Sequence, residues 1–323
     1  MNSTRTPSLA PAVTPADIAA AAERIVARVR VTPVMQVAAK DLDLPIDVTL
    51  KLELLQHVGS FKPRGAFNRV LAADAIPTAG LIAASGGNHG AAVAFVAQTL
   101  GIAAEVFVPS SSPAMKRERI ASLGATVNVI EGLFDDAQAA AVARQLETGA
   151  LAVHPFEHPD VVAGQGTMAR ELEAQMSATG FDTLLAATGG GGFIAGQAAW
   201  FAGRRRVVSI EPATSQCLHA ARLAGEPVDV SVAGVAADSL GARRLGSVAW
   251  SIVAPYVAHS LTVDDDAIRA AQRLLWDRLR LVVEPGGATA LAALHSGAYT
   301  AEPGERVVVV VCGANCDPAT VTG

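Results

Sequence analysis

The chain has 323 residues, enough for two hydrophobic cores, and its 51% hydrophobic and 17% charged content excludes general disorder. A net charge of −5 argues against nucleic-acid and membrane partners, which would require clustered positive charge. Aromatic residues make up only 4%, so the cores are aliphatic, as in helices packed on buried parallel strands.

Short β-branched runs alternate with Ala-rich amphipathic stretches, which indicates repeated β–α units and an α/β fold with parallel sheets. In chain order the predicted elements are helix 14–28, strand 48–52, helix 62–73, strand 81–85, helix 88–100, strand 105–109, helix 113–123, strand 126–130, helix 135–147, helix 166–176, strand 183–187, helix 194–201, strand 207–211, helix 265–280, strand 281–284, helix 288–294 and strand 307–311. The β–α units of residues 79–155 predict a small domain. Residues 1–78 and 156–323 together predict a large one.

The cysteines and the apolar runs predict a cytoplasmic protein. Three cysteines, Cys217, Cys312 and Cys316, form an odd and sparse set that is typical of reduced thiols. The first residues lack the basic and apolar regions of a signal peptide. The longest apolar run, 307–312, is too short to cross a bilayer.

A run of four glycines follows one predicted strand and opens a helix: Gly189, Gly190, Gly191 and Gly192. Backbone N–H groups at such a helix start can hold a phosphate without obstruction by side chains. Residues 190–195 also fit the G-x-G-x-x-A dinucleotide pattern, and Glu211 follows at about the distance of a ribose-binding acid. An enzyme with a nicotinamide cofactor therefore stays open at this point.

A second glycine-rich turn, at residues 85–90, also lies between a predicted strand and a helix. Its hydroxyl, amide and free N–H groups can hold a small carboxylate. The alternative is a simple helix cap that leaves His89 on a helix surface.

Lysine occurs at only four positions. Lys62 begins a predicted helix in the segment Gly59–Ala66, and an amine can form a Schiff base and transfer protons, which a guanidinium cannot do at neutral pH. Lys40, Lys51 and Lys116 are predicted to be solvated surface residues.

Six motifs occur in the order found in fold type II pyridoxal-phosphate enzymes: Ser60–Ala66, Ser85–Gly90, Ala163–Thr167, Gly189–Gly192, Glu284–Ala288 and Cys312–Asn315. From about Thr14 onward the chain resembles the serine/threonine dehydratase (threonine ammonia-lyase) and serine racemase family. The resemblance implies a tryptophan synthase β-like fold of two parallel-sheet domains. It also implies pyridoxal 5′-phosphate in the large domain and strongly disfavours a dinucleotide.

The resemblance also implies roles for individual residues. Lys62 would be the Schiff-base lysine and the base for the α-proton. The other cofactor contacts would be Phe61, Asn88, Gly189, Gly190, Gly191, Gly192, Glu284 and Cys312, with Cys312 beside the pyridine nitrogen. The substrate carboxylate would be received by Ser85, Gly86, Asn88 and His89.

The implied reaction is dehydration of L-threonine or L-serine to a 2-oxo acid and ammonia. Racemases of the family carry a serine where Gly86 stands, so racemisation is expected to be a side activity at most. A β-replacement synthase and a non-catalytic amino-acid sensor remain alternatives.

The family further suggests a homodimer. Its divalent-metal site would begin at Glu211, but Cys217 stands near the second carboxylate position, so we expect no metal there. Only 11 residues follow Cys312, which predicts no C-terminal regulatory domain.

Overall fold

The computed structural model describes residues 11–322. Its α-helices are α1 (Pro15–Ile25), α2 (Lys62–Leu71), α3 (Asn88–Leu100), α4 (Ala114–Ser122), α5 (Phe134–Thr148), α6 (Pro159–Gln175), α7 (Gly192–Phe201), α8 (Cys217–Ala224), α9 (Ala237–Leu240), α10 (Ser247–Tyr256), α11 (Asp265–Leu279), α12 (Pro285–His295) and α13 (Ala319–Thr322). Its strands are β1 (Val34–Val37), β2 (Val48–Lys51), β3 (Leu81–Ala84), β4 (Ala104–Pro109), β5 (Thr126–Ile130), β6 (Leu151–Ala152), β7 (Thr183–Ala187), β8 (Arg206–Pro212), β9 (Val257–Val263) and β10 (Val307–Val310). Short 3₁₀ helices span Ala39–Asp41, Glu53–Leu55 and His57–Gly59. No helix in the described range is long and apolar enough to cross a membrane.

The larger sheet has six strands in the order β1-β2-β10-β7-β8-β9. Neighbouring strands are parallel except at one edge, where β1 runs antiparallel to β2. Strand β10 lies between β2 and β7 and consists of buried valines. A β-branched run without polar alternation is typical of a strand that is covered on both faces.

The smaller sheet has four parallel strands in the order β5-β4-β3-β6. Its strands and helices α3 to α5 bury Ala, Val and Ile side chains in clusters separate from the core of the larger sheet. At the end of α3, Gly101 has a φ of +68°, the left-handed conformation that commonly closes a helix. The chain therefore contains two mainly parallel sheets packed with helices, and the predicted α/β fold class is confirmed.

Glycines bring helices α2, α6 and α7 into close contact. A Cβ on Gly164 would lie 2.7 Å from the Cα of Gly65, and a Cβ on Gly166 would lie 2.8 Å from the carbonyl oxygen of Gly196. The backbones of the three helices can approach this closely only without side chains at these positions. This packing fixes the two helices that begin at Lys62 and at Gly192.

Most predicted elements are confirmed, but the strand predicted at 281–284 is wrong. The N–H of Glu284 donates to the carbonyl oxygen of Gly313 at 3.2 Å, and the carbonyl of Val283 accepts from the side chain of Gln272 at 2.7 Å. The segment thus bonds to a loop and a side chain, and the edge beside β8 is taken by β9. The sequence analysis missed β9, along with β1, β6, α8, α9, α10 and α13.

Candidate active site

Lys62 lies at the N-terminus of α2, at the end of the larger sheet. Pro63 suits the first turn of the helix because proline has no N–H that would be left unpaired there. Just before α2, Ser60 forms a β-bridge with Gly313, and the N–H of Phe61 donates to the carbonyl oxygen of Cys312 at 3.3 Å. Lys62 is thereby held at the carboxyl end of β10, the side on which parallel sheets bind ligands.

The Lys62 amine is enclosed by protein. Its Nζ donates to the carbonyl oxygen of Pro155 at 3.0 Å and lies 5.2 Å from the centroid of the Phe61 ring. Burial lowers the pKa of Lys62 to about 8, although Cys312 and Glu284 act in the opposite direction. At neutral pH a larger fraction of this amine is uncharged than in an exposed lysine, and the uncharged form is the nucleophile.

The four-glycine loop connects β7 to α7 as a narrow turn. Gly191 has a φ of +90°, in the region that favours glycine. A Cβ on Gly190 would overlap the ring of Phe156, and one on Gly192 would lie 2.8 Å from the Cβ of Phe156. Within residues 11–322 the N–H groups of Gly190 and Gly191 have no acceptor. The loop is a cradle of free amides that fits a phosphate group.

The second glycine-rich turn connects β3 to α3. The Oγ of Ser85 accepts a hydrogen bond from the N–H of Gly87 at 3.3 Å. The side-chain amide of Asn88 donates to Oε1 of Glu284 at 2.6 Å, and its oxygen accepts from the side chain of Asn315 at 2.7 Å. Polar bonds therefore tie the start of α3 to the loops of the larger sheet. The sequence analysis quoted the motif that contains Asn315 but assigned it no role.

The side chain of His89 points away from this turn. It is 3% exposed, and its Nε2 lies 2.7 Å from the carbonyl oxygen of Val153. Burial lowers the pKa of His89 to about 3, so the neutral ring donates to that carbonyl. The alternative of a surface histidine is wrong. His89 can offer a carboxylate only its backbone N–H at the start of α3.

Gly86 leaves room for a hydroxyl from another loop. A Cβ at this position would overlap the Oγ of Ser112, a partly exposed residue in the loop after β4. The hydroxyl of Ser112 therefore stands where a side chain of residue 86 would begin. The sequence analysis missed Ser112, which no motif singled out.

Glu284 and Cys312 lie within electrostatic reach of Lys62 and are both 3% exposed. The Cys312 Sγ lies 3.5 Å from the carbonyl oxygen of Gly286, and burial raises the pKa of the thiol, which stays neutral. Burial also raises the pKa of Glu284 to about 7. Its buried Oε2 has no partner among the described residues, so this oxygen is left for a ligand.

Lys62 is connected to both turns. The ring of Phe61 lies 4.1 Å, centroid to centroid, from that of Phe193 in the first turn of α7. Pro155, which bonds to Lys62, precedes the Phe156 that packs on the glycine loop. Toward the other turn, the charge of Lys62 contributes to the lowered pKa of His89. The lysine thus lies between the phosphate cradle and the turn of Ser85.

Glu211 is not available to bind a ribose. It is fully buried, and its oxygens accept the N–H groups of Leu218 at 2.8 Å and His219 at 2.7 Å. The neighbouring Cys217 thiol donates to the carbonyl oxygen of Gly189 at 3.2 Å. In the described part of the chain, no group of three or more His, Cys, Asp or Glu residues could hold a metal ion.

Of the remaining three lysines, Lys51 is buried and Lys116 is only partly exposed, so the prediction that these two are solvated surface residues is wrong. Lys51 is fully buried and forms an ion pair with Glu171. The side chain of Lys116 is 10% exposed, and its Nζ donates to Oδ2 of Asp238 at 2.5 Å. Lys40 is exposed, as predicted.

The fold and the site are typical of an α/β enzyme, with a loop that fits a phosphate group beside a lysine of lowered pKa. The family model described as pyridoxal-phosphate dependent enzyme matches residues 25–313. The chain belongs to this family, and its cofactor is pyridoxal phosphate. The dinucleotide alternative is wrong.

Individual relatives agree with this assignment. The chain is 33% identical to the biosynthetic L-threonine dehydratase of Haemophilus influenzae over 90% of its own length, but spans only 58% of that relative. It is 36% identical to the L-threonine ammonia-lyase of Geobacter sulfurreducens, over 93% of this chain and 75% of the relative.

Among solved structures, maize serine racemase has a TM-score of 0.89 at 31% identity, covering 96% of both chains. A threonine deaminase from T.th. has a TM-score of 0.87 at 35% identity, covering 94% of this chain and 99% of that one.

Proposed function

We propose that the protein is a dehydratase of L-threonine and L-serine that releases a 2-oxo acid and ammonia. The observation that carries the proposal is the position of Lys62, an amine of lowered pKa between a phosphate cradle and a turn with free helix N–H groups. The relatives named as threonine dehydratase and threonine ammonia-lyase support the choice of reaction.

The residues of the site fit the cofactor. The free amides of the glycine loop suit its phosphate, and the unpartnered Oε2 of Glu284 is an acceptor that the protein leaves unused. The proposed cofactor-binding residues are Phe61, Lys62, Asn88, Gly189, Gly190, Gly191, Gly192, Glu284 and Cys312. The proposed substrate-binding residues are Ser85, Gly86, Asn88 and His89, the last through its N–H.

Each part of the site has a task in the proposed reaction. The N–H groups at the start of α3 bind the substrate carboxylate. The cofactor, when bound, withdraws electrons from the substrate Cα. Lys62 takes the α-proton, for which its lowered pKa suits it near neutral pH. The β-hydroxyl takes up one proton and leaves as water, which balances the α-proton taken by Lys62. Hydrolysis of the remaining enamine consumes one water and gives the 2-oxo acid and ammonia.

The test is the turnover of L-threonine by the purified protein, with 2-oxo acid and ammonia measured together. We expect equal amounts of both. Lys62→Ala should abolish turnover and the yellow colour of the bound cofactor. Lys40→Ala is the matched control, because Lys40 is exposed, and it should retain both. Colour without 2-oxo acid in the wild type would favour a β-replacement synthase or a sensor. An active Lys62→Ala protein would contradict the proposal.

Racemisation of serine is a second candidate because the Ser112 hydroxyl occupies the position beside Gly86. A hydroxyl there could return a proton to the face opposite Lys62. The test is D-serine formation from L-serine. The wild type should form D-serine more slowly than pyruvate, and Ser112→Ala should lose D-serine formation selectively.

We also propose, from composition and resemblance, a cytoplasmic homodimer without nucleic-acid or membrane partners. The three free cysteines support a reducing compartment.

We further propose that residues 79–155 form a small domain and that 1–78 with 156–323 form the large one. The strands of the smaller sheet all lie between Leu81 and Ala152, which supports this division.

A further inference from the structure

An ion pair joins the two sheets beside the proposed substrate turn. Lys116 belongs to α4, which packs with the smaller sheet, and Asp238 belongs to α9 in the segment between β8 and β9. The Lys116 Nζ donates to the Asp238 carboxylate at 2.5 Å. The lysine side chain is only 10% exposed, whereas that of Asp238 is 46% exposed. The lysine of the pair is thus shielded from solvent, whereas the aspartate is accessible to it.

Helix α9 lies against both turns of the site. The carbonyl oxygen of Asp238 would lie 3.4 Å from a Cβ on Gly87, in the turn proposed to bind the substrate carboxylate. Two residues later, the Cα of Leu240 would lie 3.2 Å from a Cβ on Gly189, in the phosphate cradle. A ligand that reaches from one turn to the other therefore lies against α9. In the proposed function the substrate carboxylate is bound at the turn of Gly87, which leaves the substrate side chain to face α9. We call the space between the two turns and α9 the side-chain pocket.

The charges of the pair change the pKa of a carboxyl inside the site. Lys116 lowers the pKa of Glu284, and Asp238 raises it, so the two act in opposite directions on the same carboxyl. An unpaired cation at this place would attract an anionic side chain, and an unpaired anion would attract a cationic one. Because Lys116 and Asp238 are paired, their charges largely cancel in the space between the two turns.

We propose that the Lys116–Asp238 ion pair keeps the side-chain pocket electrically neutral and thereby restricts the enzyme to uncharged hydroxy amino acids. This inference rests on the proposed function. Acidic and basic amino acids are excluded because their side chains would be desolvated without a free partner of opposite charge. The two residues are thus specificity determinants, and the lysine that takes the α-proton is a different one.

The test measures binding as well as turnover. L-aspartate and L-2,3-diaminopropionate are titrated into the holoenzyme, and binding is read from the absorbance change of the bound cofactor. Asp238→Asn leaves Lys116 unpaired and should tighten L-aspartate binding by about tenfold or more. Lys116→Met leaves Asp238 unpaired and should do the same for diaminopropionate and not for aspartate. Both variants should lose selectivity for L-threonine.

The control is Asp135→Asn, which breaks the exposed ion pair of Asp135 with Arg243 at 3.2 Å. That pair also joins a helix of the smaller sheet to the segment after α9, so it controls for loss of a link between the sheets. It should leave the amino-acid preference unchanged. If all three variants weaken the binding of every amino acid to the same extent, the Lys116–Asp238 pair only joins the two sheets and the inference is wrong.

The outcome also separates this inference from the proposed reaction. Suppose that the wild type forms no 2-oxo acid, but Asp238→Asn binds L-aspartate more tightly and Lys116→Met binds diaminopropionate more tightly. The dehydratase proposal then fails, and the inference of a neutral pocket stands. If the wild type converts L-threonine but neither variant binds a charged amino acid more tightly, the inference fails and the dehydratase proposal stands.

Discussion

The two turns on either side of Lys62 differ in the contacts that dominate. The glycine loop is held mainly by apolar packing, because Cβ atoms on Gly190 and Gly191 would meet Phe156 and Leu245, the latter at 2.5 Å, and its polar bonds are accepted by the backbone carbonyls of Gly189 and Gly190. The turn that begins α3 is fixed by polar bonds, above all that of Asn88 to Glu284. Close packing gives one fixed geometry, whereas hydrogen bonds to a titratable carboxyl respond to pH and to ligands. The comparison indicates that the proposed phosphate site is rigid and that the proposed substrate site is adjustable.

The largest effect on cofactor binding is expected from a methyl group in the rigid turn. Gly190→Ala places a Cβ into the ring of Phe156, and such overpacking costs about 1–3 kcal/mol. We expect the affinity for pyridoxal phosphate to fall by about tenfold to a hundredfold. The measurement is titration of the cofactor-free protein by absorbance. Wild-type affinity in this variant would show that the loop is not rigid.

An effect on the pH dependence of stability, with no direct loss of cofactor, is expected from the titratable carboxyl that bonds to the polar turn. The pKa of Glu284 is raised from 4.5 to about 7, so the folded state keeps a proton that the unfolded state has lost. The free energy of unfolding should therefore decrease as the pH rises from about 4.5 to 7, through this group by about 3 kcal/mol.

Glu284→Gln should remove this part of the pH dependence while still accepting the hydrogen bond from Asn88. The measurement is denaturant unfolding of both proteins, saturated with cofactor, across this pH range. Equal slopes with pH in the two proteins would contradict the assignment of the proton to Glu284.

The smallest effect is expected from a methyl group in the polar turn. In Gly87→Ala the new Cβ would lie 3.4 Å from the carbonyl oxygen of Asp238, an ordinary contact, and the φ of −122° is open to any residue. Stability should change by less than about 0.5 kcal/mol, with cofactor affinity unchanged and a modest rise in the KM for L-threonine. A loss of cofactor as large as in Gly190→Ala would remove the distinction between the two turns.

Local sequence predicted much of this site. Glycines after a strand, a proline after Lys62 and alternating strands and helices each act within a few residues of where they stand. The sequence therefore placed Lys62 at a helix start and the glycine loop between β7 and α7, as found.

Features that depend on distant residues could not be predicted in this way. Lys51 is buried and Lys116 is mostly covered, and the partner of each ion pair is distant in the chain: Glu171 lies 120 positions from Lys51, and Asp238 lies 122 positions from Lys116. His89 turns inward because the carbonyl of Val153, 64 residues later, accepts its proton. Segment 281–284 has the composition of a strand, but β9 occupies the edge beside β8.

The central claim is that Lys62 is the amine that carries the cofactor between the two turns. Reduction of the holoprotein with borohydride fixes the cofactor to that amine, and peptide mass spectrometry then locates it. We predict a single modified peptide that contains Lys62. Modification of Lys40, Lys51 or Lys116 instead, or of no lysine in a yellow protein, would contradict the account.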